Sequence, residues 1–208
     1  MLRLLAWVTG LRVLRALVIE DARGCKATCE GYTHGFQSAR ALRRFAADPR
    51  TEISPGFVSE AIRRGDACYG VCRGGRLISS SWYSTRPTPI GPPEAVAHFD
   101  AQWVYMYKAF TQPSHRGRRL YEAGVRRALE HYRAKGARGL LSYVEATNLD
   151  SLAALRRMGF RIFGSAYLLR LFGRQFAFSS PGCRRYGCRV ETASPRPAFA
   201  AKEAPLGR

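Results

Sequence analysis

The hydrophobic pattern of the first half predicts two short helices followed by a β-hairpin. The run 38–47 places its apolar residues on one side behind a serine that can cap the helix, and the run 54–65 opens with Ser-Pro and closes with glycine. Over 68–84, two strand-like runs flank a Gly-Gly pair, which is typical of a hairpin turn. The proline-rich stretch 86–93 cannot be an inner strand because proline lacks the backbone donor, so we expect a loop there.

The second half begins with a segment typical of a central strand. Residues 102–112 are rich in aromatic and β-branched side chains and stop at Pro113. Alternation along this strand predicts two opposite faces. One face holds Trp103, Tyr105, Tyr107 and Ala109, and the other holds Val104, Met106, Lys108 and Phe110.

Helices and strands then alternate. A broad apolar stripe over 119–135 predicts a long helix that Gly136 ends. The further predicted elements are a buried strand over 139–147, a helix over 148–158 ended by Gly159, and two strands over 160–173 and 174–180. This order predicts an α/β fold with a mixed sheet. The first strand precedes the helices, either near 13–21 or within 25–36.

Residues 1–20 form an amphipathic segment in which apolar residues recur at helical spacing. The stripe consists of Leu4, Trp7, Val8, Leu11, Leu14 and Val18. Three interspersed arginines and the lack of a clean small-residue cleavage site argue against a transmembrane helix and against a signal peptide. Such a helix can lie on a membrane surface, but we favour packing against the domain body. The main domain is predicted over 21–191, followed by a disordered tail over 192–208.

The charge balance adds a preference for polyanionic partners. The 208 residues contain 34 Lys plus Arg against 15 Asp plus Glu, which gives a formal charge of +19 and a pI near 10.6. Hydrophobic residues make up 46%, which excludes a wholly disordered chain. The excess favours nucleotide phosphates, anionic lipid or nucleic acid. Nearly all of it is arginine, whose guanidinium suits phosphate, although a GC-rich coding sequence produces the same bias.

Six cysteines occur in three pairs, at 25 and 29, 68 and 72, and 183 and 188. These spacings differ from the C-x-x-C of zinc and redox sites, so we expect no metal. Cys68 and Cys72 lie in a predicted strand and point to the same face, as small buried hydrophobes do. We expect reduced thiols in a cytoplasmic protein.

The most informative segment joins the strand that stops at Pro113 to the helix that begins near 119. A helix N-terminus offers free backbone N–H groups and the positive end of its dipole, which together bind phosphate. The intervening link SHRGRR adds Arg116, Arg118 and Arg119. The alternative is a set of solvated basic residues at a helix start.

Two motifs in this order resemble the GNAT superfamily of acyl-CoA-dependent N-acyltransferases over roughly 38–178. QPSHRGRRLYEAGVRRAL looks like the family's strand, basic-Gly loop and pyrophosphate-binding helix, and NLDSLAALRRMGF looks like its Asn, helix and Gly-Phe signature. The resemblance implies a mixed, mostly antiparallel sheet flanked by helices on both faces. It also implies direct transfer of an acyl group, most simply from acetyl-CoA, to a primary amine, with no acyl-enzyme and no metal.

The resemblance further implies which residues hold the donor. Backbone groups near Phe110 and Thr111 would meet the pantetheine arm where one strand splays from the next, and Asn148 would bind the same arm while capping its helix. The pyrophosphate would lie against His115, Arg116, Gly117, Arg118, Arg119, Leu120 and Tyr121. At two loop positions the family usually has a small residue, and here these positions are Arg119 and Tyr121. The larger side chains could hinder pyrophosphate binding. Alternatively, the Arg119 guanidinium could add a contact to the pyrophosphate.

The predicted base is a carboxylate, and the predicted acid is a tyrosine. Some family members carry Glu and Tyr at the positions that are Tyr143 and Leu155 here. Glu145 shares a strand face with Tyr143, and Tyr105 shares one with Tyr107 on the neighbouring strand. An acidic residue in an otherwise apolar strand needs a reason, so Glu145 is the candidate base and one of these tyrosines the candidate acid. The alternative is that all three tyrosines are core aromatics.

Several alternatives stay open. A catalytically silent domain of this fold would bind nucleic acid or anionic membrane through its basic surface, and a longer acyl donor would suit peripheral membrane contact through residues 1–19. We expect a small-molecule or peptide amine as acceptor, no specific nucleic acid, and a homodimer as one compatible assembly. His34 is a further candidate for the acceptor pocket.

Overall fold

The architecture is a large twisted sheet with helices on both faces and a second, smaller sheet. The computed structural model describes residues 10–21, 29–91, 95–172 and 174–192. The large sheet has the strand order β10-β9-β1-β8-β7-β4-β3-β2, and the small sheet has the order β11-β6-β5. In chain order the strands are β1 (Arg12–Ile19), β2 (Thr33–Phe36), β3 (Ala67–Arg73), β4 (Arg76–Ser84), β5 (Thr88–Ile90), β6 (Ala95–His98), β7 (Trp103–Thr111), β8 (Gly139–Glu145), β9 (Arg161–Leu171), β10 (Arg174–Ser179) and β11 (Arg189–Thr192).

Four of the helices begin and end close to the residues that the sequence indicates, and α5 (Pro181–Arg185) was not predicted. The four are α1 (Ala39–Ala46), α2 (Pro55–Arg64), α3 (Leu120–Ala134) and α4 (Leu149–Arg157), and 3₁₀ turns lie at Pro49–Thr51 and Pro113–His115. Ser38 and Ser54 accept hydrogen bonds from the first turns of α1 and α2, and Gly65 ends α2 with φ of 82°. Within the described ranges, no helix is long and apolar enough to cross a membrane.

The predicted sheet type is confirmed. Every neighbouring pair of strands in the large sheet runs antiparallel except β7 and β8, which run in parallel. The hairpin of β3 and β4 turns at Gly74 and Gly75, as predicted. This arrangement places the parallel pair in the middle of the sheet.

The helical interpretation of the N-terminal segment is wrong for Arg12–Ile19. These residues form β1, an inner strand paired with β8 on one side and β9 on the other. A strand buried on both faces is a nearly continuous apolar run, and such a run also matches helical spacing over this length. The predicted helix positions in 1–9 lie outside the described residues. The sequence left two ranges open for the first strand, and each contains a strand. The first range, near 13–21, contains most of β1, and the second, 25–36, contains β2.

The small sheet is the main element that the sequence did not predict. The proline-rich stretch contains β5, which takes the edge position that proline tolerates, rather than a loop throughout. The strand β6 pairs with β5 and with β11. Thr192, placed in the tail by the sequence, is the last residue of β11, and residues 193–208 lie outside the description. Strands of three or four residues carry too little periodicity to be recognised locally.

The two faces of the large sheet are covered differently. On one face, α3 and α4 pack over β1, β7 and β8, with Val104, Met106 and Leu140 at the centre. On the other face, α1 and α2 cover β3 and β4 around Trp82. The small sheet and α5 cover the rest of that second face, around Trp103. The alternation predicted from Trp103 to Tyr107 is therefore confirmed.

The outer end of β7 departs from regular alternation. Tyr107 pairs with Trp82 and Phe110 pairs with Ser80, so three steps along β7 match two steps along β4. Paired residues point to the same face, so Phe110 shares the face of Tyr107, and the predicted opposite orientation is wrong. The extra residue makes a β-bulge in which Lys108 has φ of 50°.

The cysteines of the described ranges are free thiols. Cys68 and Cys72 are buried in one apolar cluster beneath α1 and α2, which confirms that they share a face. Cys183 and Cys188 are buried under the small sheet. Burial raises the pKa of Cys188 to about 12. These thiols act as small apolar core residues.

Gly139→Ala tests the close approach of backbones beside the parallel pair. A Cβ at residue 139 would lie 2.2 Å from the carbonyl oxygen of Ile19, and backbone cannot move aside cheaply. We expect the free energy of unfolding to fall by about 3 kcal/mol in urea denaturation followed by circular dichroism.

Gly56→Ala is the matched control. Residue 56 lies in the first turn of α2, where an added Cβ meets nothing within 4 Å. Stability should stay the same or rise by up to about 1 kcal/mol. Equal losses in the two variants would contradict the packing described for β1 and β8.

Candidate functional site

A gap opens in the large sheet where β7 and β8 part. The two strands pair over three positions only, with Trp103, Val104 and Tyr105 opposite Gly139, Leu140 and Leu141. Beyond Tyr105, β7 runs on to Thr111 and β8 runs on to Glu145 without pairing to each other. The gap between them is a cleft of about 1230 Å³. The predicted splay of these neighbouring strands is thus present.

The loop after β7 presents backbone N–H groups to this cleft. Pro113 begins a 3₁₀ turn, Gly117 has φ of 77°, and Arg119 precedes α3 with φ of 56°. Among the described residues, no side chain caps the N-terminus of α3. The first-turn N–H groups and the positive end of the helix dipole therefore point at the cleft mouth. Arg119 thus holds a left-handed backbone that glycine adopts at less cost.

The basic side chains of this loop divide between two directions. Arg116 and Arg119 line the cleft, and the Arg116 Nε donates to the Thr111 carbonyl at 3.2 Å. Arg118 does not line the cleft, because its guanidinium donates to the Tyr32 hydroxyl at 3.3 Å. His115 lines the cleft and packs edge-on against the Tyr32 ring. Alternate residues of a loop point in different directions, which composition alone does not reveal.

The opposite wall of the cleft is the start of α4. Asn148 caps this helix, its Oδ1 accepting from the Ser151 N–H at 3.1 Å. The capping role is therefore confirmed, and the residue also lines the cleft. The capping bond engages the amide oxygen, so the amide nitrogen is the part of the side chain suited to donate to a ligand.

Tyr121 belongs to the floor of the cleft. It lies in the first turn of α3, and its hydroxyl approaches the Met106 sulfur at 3.7 Å. Burial raises its pKa well above the ordinary tyrosine value, so the phenol stays neutral. Its bulk is thus directed into the core and away from the loop N–H groups. Leu120 is buried beside it, and Phe110 and Thr111 line the cleft from β7.

Three tyrosines form a stack on the face of the sheet that the small sheet covers. Tyr105 and Tyr107 stack with centroids 5.6 Å apart, and Tyr143 meets Tyr105 edge-on at 6.0 Å. Tyr105 is buried behind the cleft, while Tyr107 and Tyr143 line it. Burial raises the pKa of all three hydroxyls above the ordinary range. Among the described residues, the buried hydroxyl of Tyr143 has no hydrogen-bond partner.

Tyr107 is held by a buried ion pair that the sequence did not predict. Its hydroxyl donates to Asp66 Oδ2 at 2.6 Å and accepts from the Arg64 guanidinium at 3.1 Å. Arg64 and Asp66 also pair directly at 2.7 Å, and the Asp66 side chain is 1% exposed. Among the described residues, Asp66 Oδ1 has no hydrogen-bond partner. An acid directly after the glycine that ends α2, at the start of an apolar strand, was the available signal.

Glu145 lies at the outer end of β8, where it lines the cleft. It faces β1, and Arg12 pairs with it through Nε at 2.8 Å and through a terminal nitrogen. Both side chains are about one third exposed, so the carboxylate stays in contact with solvent in the cleft. Arg12 in turn lies beneath the turn at Gly91 that follows β5. The small sheet thereby reaches the rim of the cleft.

The structure brings together most of the predicted site residues and excludes three. Arg118 and Tyr105 do not line the cleft. His34 lies on the edge strand β2, where its Nδ1 is 2.8 Å from the Tyr69 hydroxyl, and does not line it either. The predicted residues that line it are Tyr107, Phe110, Thr111, His115, Arg116, Gly117, Arg119, Leu120, Tyr121, Tyr143, Glu145 and Asn148.

Several known proteins with similar sequence or fold are acetyltransferases. A mycothiol acetyltransferase of Corynebacterium glutamicum is 40% identical over 57 residues, which are 27% of this chain and 20% of that protein. A crystal structure of a protein assigned to the GNAT family from Novosphingobium aromaticivorans aligns with a TM-score of 0.52 and 17% identity, over 88% of this chain and 66% of that one. A GNAT acetyltransferase from Colwellia psychrerythraea gives 0.50 and 14%, over 81% and 56%.

These matches cover different shares of the chain and support different conclusions. The chain spans about a fifth of the curated relative's length and two thirds or less of the two structures. The structural likeness, at such low identity, shows the fold. The profile of the Acetyltransferase (GNAT) family, however, matches residues 28–160, which is most of the chain. This stretch includes the gap between β7 and β8, the basic loop and α4, and by that match the chain belongs to the GNAT family of acetyltransferases.

Proposed function

We propose that this protein is an N-acyltransferase that moves an acyl group, most simply acetyl, from acyl-CoA to a primary amine by direct transfer. The observation that carries the proposal is the parting of β7 and β8 after Tyr105, directly beside the uncapped N-terminus of α3. A carrier with a diphosphate and a long thiol arm fits such a site. The short match to a mycothiol acetyltransferase supports acetyl as the group transferred.

The α3 end of the cleft suits the phosphates of the donor. Arg116 and Arg119 line it, an added Cβ at Gly117 meets nothing within 4 Å, and the α3 dipole favours an anion there. The guanidinium groups bind phosphate oxygens with charge-assisted hydrogen bonds. The Arg119 side chain thus binds the phosphates that, with a smaller residue at this position, the backbone would approach closely.

The walls of the gap suit an extended amide-containing arm. Within the part of the chain that the structure describes, no strand pairs with the β8 side of β7 from Tyr107 to Thr111, so the backbone groups there are available to an inserted chain. Asn148 faces this edge across the cleft and offers its amide nitrogen. We infer that the arm lies between β7 and α4 and completes the hydrogen bonds that the parted strands leave open.

The gap connects the two faces of the sheet. On one face its lining includes Leu155 from α4 and Met158 directly after α4. On the other face it includes Tyr107 and Glu145. The donor enters on the α3 and α4 side, and the acceptor is expected on the side of α2 and the small sheet. Holding both reactants at one opening replaces a bimolecular encounter with an oriented one.

Glu145 is the proposed base. A bound thioester supplies an electrophilic carbonyl, and attack on it requires a neutral amine, so an ammonium must first lose a proton. Glu145 is the carboxylate of the cleft on the acceptor face, and its contact with solvent allows the proton to leave directly or through water. Arg12 fixes the carboxylate in place from β1.

Tyr107 is proposed to orient the amine, and not to act as the acid. Its proton already bonds to Asp66, so the hydroxyl cannot also donate to a leaving thiolate. A phenol oxygen has two acceptor positions, and Arg64 occupies one of them. The second can accept an N–H of the acceptor. Tyr105 packs against both Tyr107 and Tyr143. Tyr143 lines the cleft and its hydroxyl has no hydrogen-bond partner among the described residues, so it is the tyrosine that can donate a proton to the leaving thiolate.

The charge of the protein restricts the acceptor class. A formal charge of +19 repels polycationic acceptors and favours neutral or anionic amines. Lys108 adds a positive group at the cleft rim, with its Nζ 5.6 Å from the Phe57 ring centre. We therefore propose a small or peptidic amine of low positive charge.

The pair of variants Arg116→Ala and Arg119→Ala tests the donor site. Each should weaken acetyl-CoA binding about tenfold, because each removes a charge-assisted contact to phosphate. Isothermal titration calorimetry measures the affinity. Arg127→Ala is the control, since this exposed arginine pairs with Glu130 on α3 and does not line the cleft. Absence of acetyl-CoA binding by the unaltered protein would overturn the proposed function.

Glu145→Gln tests the base. Turnover of an amine acceptor should fall by about a hundredfold or more, while the affinity for acetyl-CoA stays unchanged, because the amide cannot take a proton. Glu130→Gln, on the outer surface of α3, is the matched control and should keep full turnover. Unchanged turnover of the Glu145 variant would remove this assignment.

Tyr107→Phe tests the orienting role. The KM for the amine should rise about tenfold with little change in acetyl-CoA affinity, since only a contact to the acceptor is lost. Burial and the bond to Asp66 raise the Tyr107 pKa, so the phenol stays neutral and adds no limb to the pH profile between about pH 6 and pH 10. A limb in that range that disappears in Tyr107→Phe would instead identify Tyr107 as a titrating catalyst.

A further inference from the structure

An exposed apolar surface lies on the hairpin of β9 and β10, at the opposite end of the sheet from β2. Large apolar side chains that are exposed number eight among the described residues, and six of them belong to this hairpin. The six are Ile162, Tyr167, Leu171, Phe172, Phe176 and Phe178. Single exposed apolar residues are ordinary, but such a concentration on one hairpin marks an interaction surface.

Strand pairing shows that most of these side chains share one face. Tyr167 pairs with Phe178, and Leu169 pairs with Phe176, so all four point the same way. The residues between them face the core of the small-sheet side, where Leu168 is buried. The exposed face is therefore continuous across both strands, and β10 is the edge strand of the large sheet.

The tip of the hairpin projects an aromatic ring into solvent. Phe172 is 101% exposed and has φ of 48°, a left-handed backbone that is uncommon for a bulky residue. Leu171, directly before it, is also exposed. A strained turn whose large apolar side chain has no packing partner among the described residues is a feature to be explained by function.

Positive charge lies close to this hairpin and its tip. Residues 151–190 contain eight arginines and no aspartate or glutamate. Arg174 stands opposite Leu171 at the base of the turn, and Arg170 is exposed on the neighbouring strand. Arg15 lies on the exposed-face side, where it donates to the Ser165 hydroxyl at 2.9 Å. No acidic side chain within the described ranges pairs with Arg170 or Arg174.

We propose that the β9–β10 hairpin docks the protein on an anionic lipid surface, with Leu171 and Phe172 inserted and the flanking arginines at the headgroups. Apolar burial and attraction to anionic lipid act together in such binding, and the basic residues each contribute at headgroup depth. The site is separate from the cleft, so docking does not require acyl transfer. It leaves the gap between β7 and β8 open while the protein is bound.

The composition of the face favours lipid over the other occupants. A single-stranded nucleic acid needs planar rings on which bases stack, whereas this face mixes aromatic rings with Leu169 and Leu171 and ends in a protruding tip. A second copy of the chain brings the same positive charge of +19 to the contact, which opposes self-association. Lipid with negative headgroups satisfies both the apolar and the charged part of the surface.

Co-sedimentation of the full chain with vesicles tests the proposal. Vesicles of phosphatidylcholine with about one third phosphatidylserine should bind the protein at moderate ionic strength, and vesicles of phosphatidylcholine alone should bind it much less. Phe172→Ser and the double variant Phe176→Ser with Phe178→Ser should each weaken partition about tenfold or more. Arg170→Ala and Arg174→Ala should weaken it about fivefold each and reduce its salt dependence.

Leu149→Ser is the matched control. Leu149 is 70% exposed on α4, away from the hairpin, and its replacement should leave vesicle binding unchanged. Circular dichroism melts should show that the hairpin variants keep their fold, since the altered side chains are exposed.

Three results would overturn the proposal. The first is equal binding of the unaltered protein and the Phe172 variant to anionic vesicles. This result would show that the binding comes from the overall positive charge and not from insertion of the hairpin tip. The second is a dimer in light scattering that the Phe176 and Phe178 changes dissociate, because the face would then be covered by a second copy. The third is binding of single-stranded RNA that these changes abolish while vesicle binding is unaffected.

Discussion

The rest of the site depends on how little β7 and β8 pair. Parallel strands in the middle of a sheet normally continue side by side, because each unpaired backbone group costs free energy. Here the pairing stops after Tyr105 and Leu141, and the two strands are held apart from their outer sides. The strand β4 fixes β7 through Thr111, and β1 fixes β8 through Glu145. The gap is thus a consequence of antiparallel pairing on both flanks.

The same flanking strands also place the charged groups of the site. Arg12 on β1 reaches Glu145 because their strands are neighbours, and Arg64 and Asp66 reach Tyr107 because the segment between α2 and β3 passes under β7. Both ion pairs lie on the face that the small sheet and α2 cover. Each aligns a cleft side chain from outside the cleft, so the reacting groups are oriented by residues that need not touch a ligand.

Local patterns were sufficient to predict the elements that are long or clearly ended. Neighbouring residues determine the caps of α1 and α2, the glycines that follow α2, α3 and α4, and the alternation along β7 up to Tyr107. The phosphate-binding loop was predicted from its own residues, whereas the gap followed from the family resemblance, because no local signal states where two strands part. The segment Arg12–Ile19 was misread, since an inner strand and an apolar helix face look alike over eight residues. Asp66, the direction of Arg118 and the small sheet depend on contacts between distant parts of the chain.

The backbone at the mouth of the gap has a consequence for the evolution of this protein. Two of the four non-glycine residues with left-handed φ in the described ranges, Lys108 in the bulge and Arg119 before α3, border the cleft. Each conformation costs about 1 kcal/mol or more relative to glycine. Selection for thermostability alone would replace both with glycine, so their persistence in a lineage would record a demand on the side chains that outweighs the strain. Comparison of orthologues at these two positions would therefore separate members that retain a working cleft from members that keep only the scaffold.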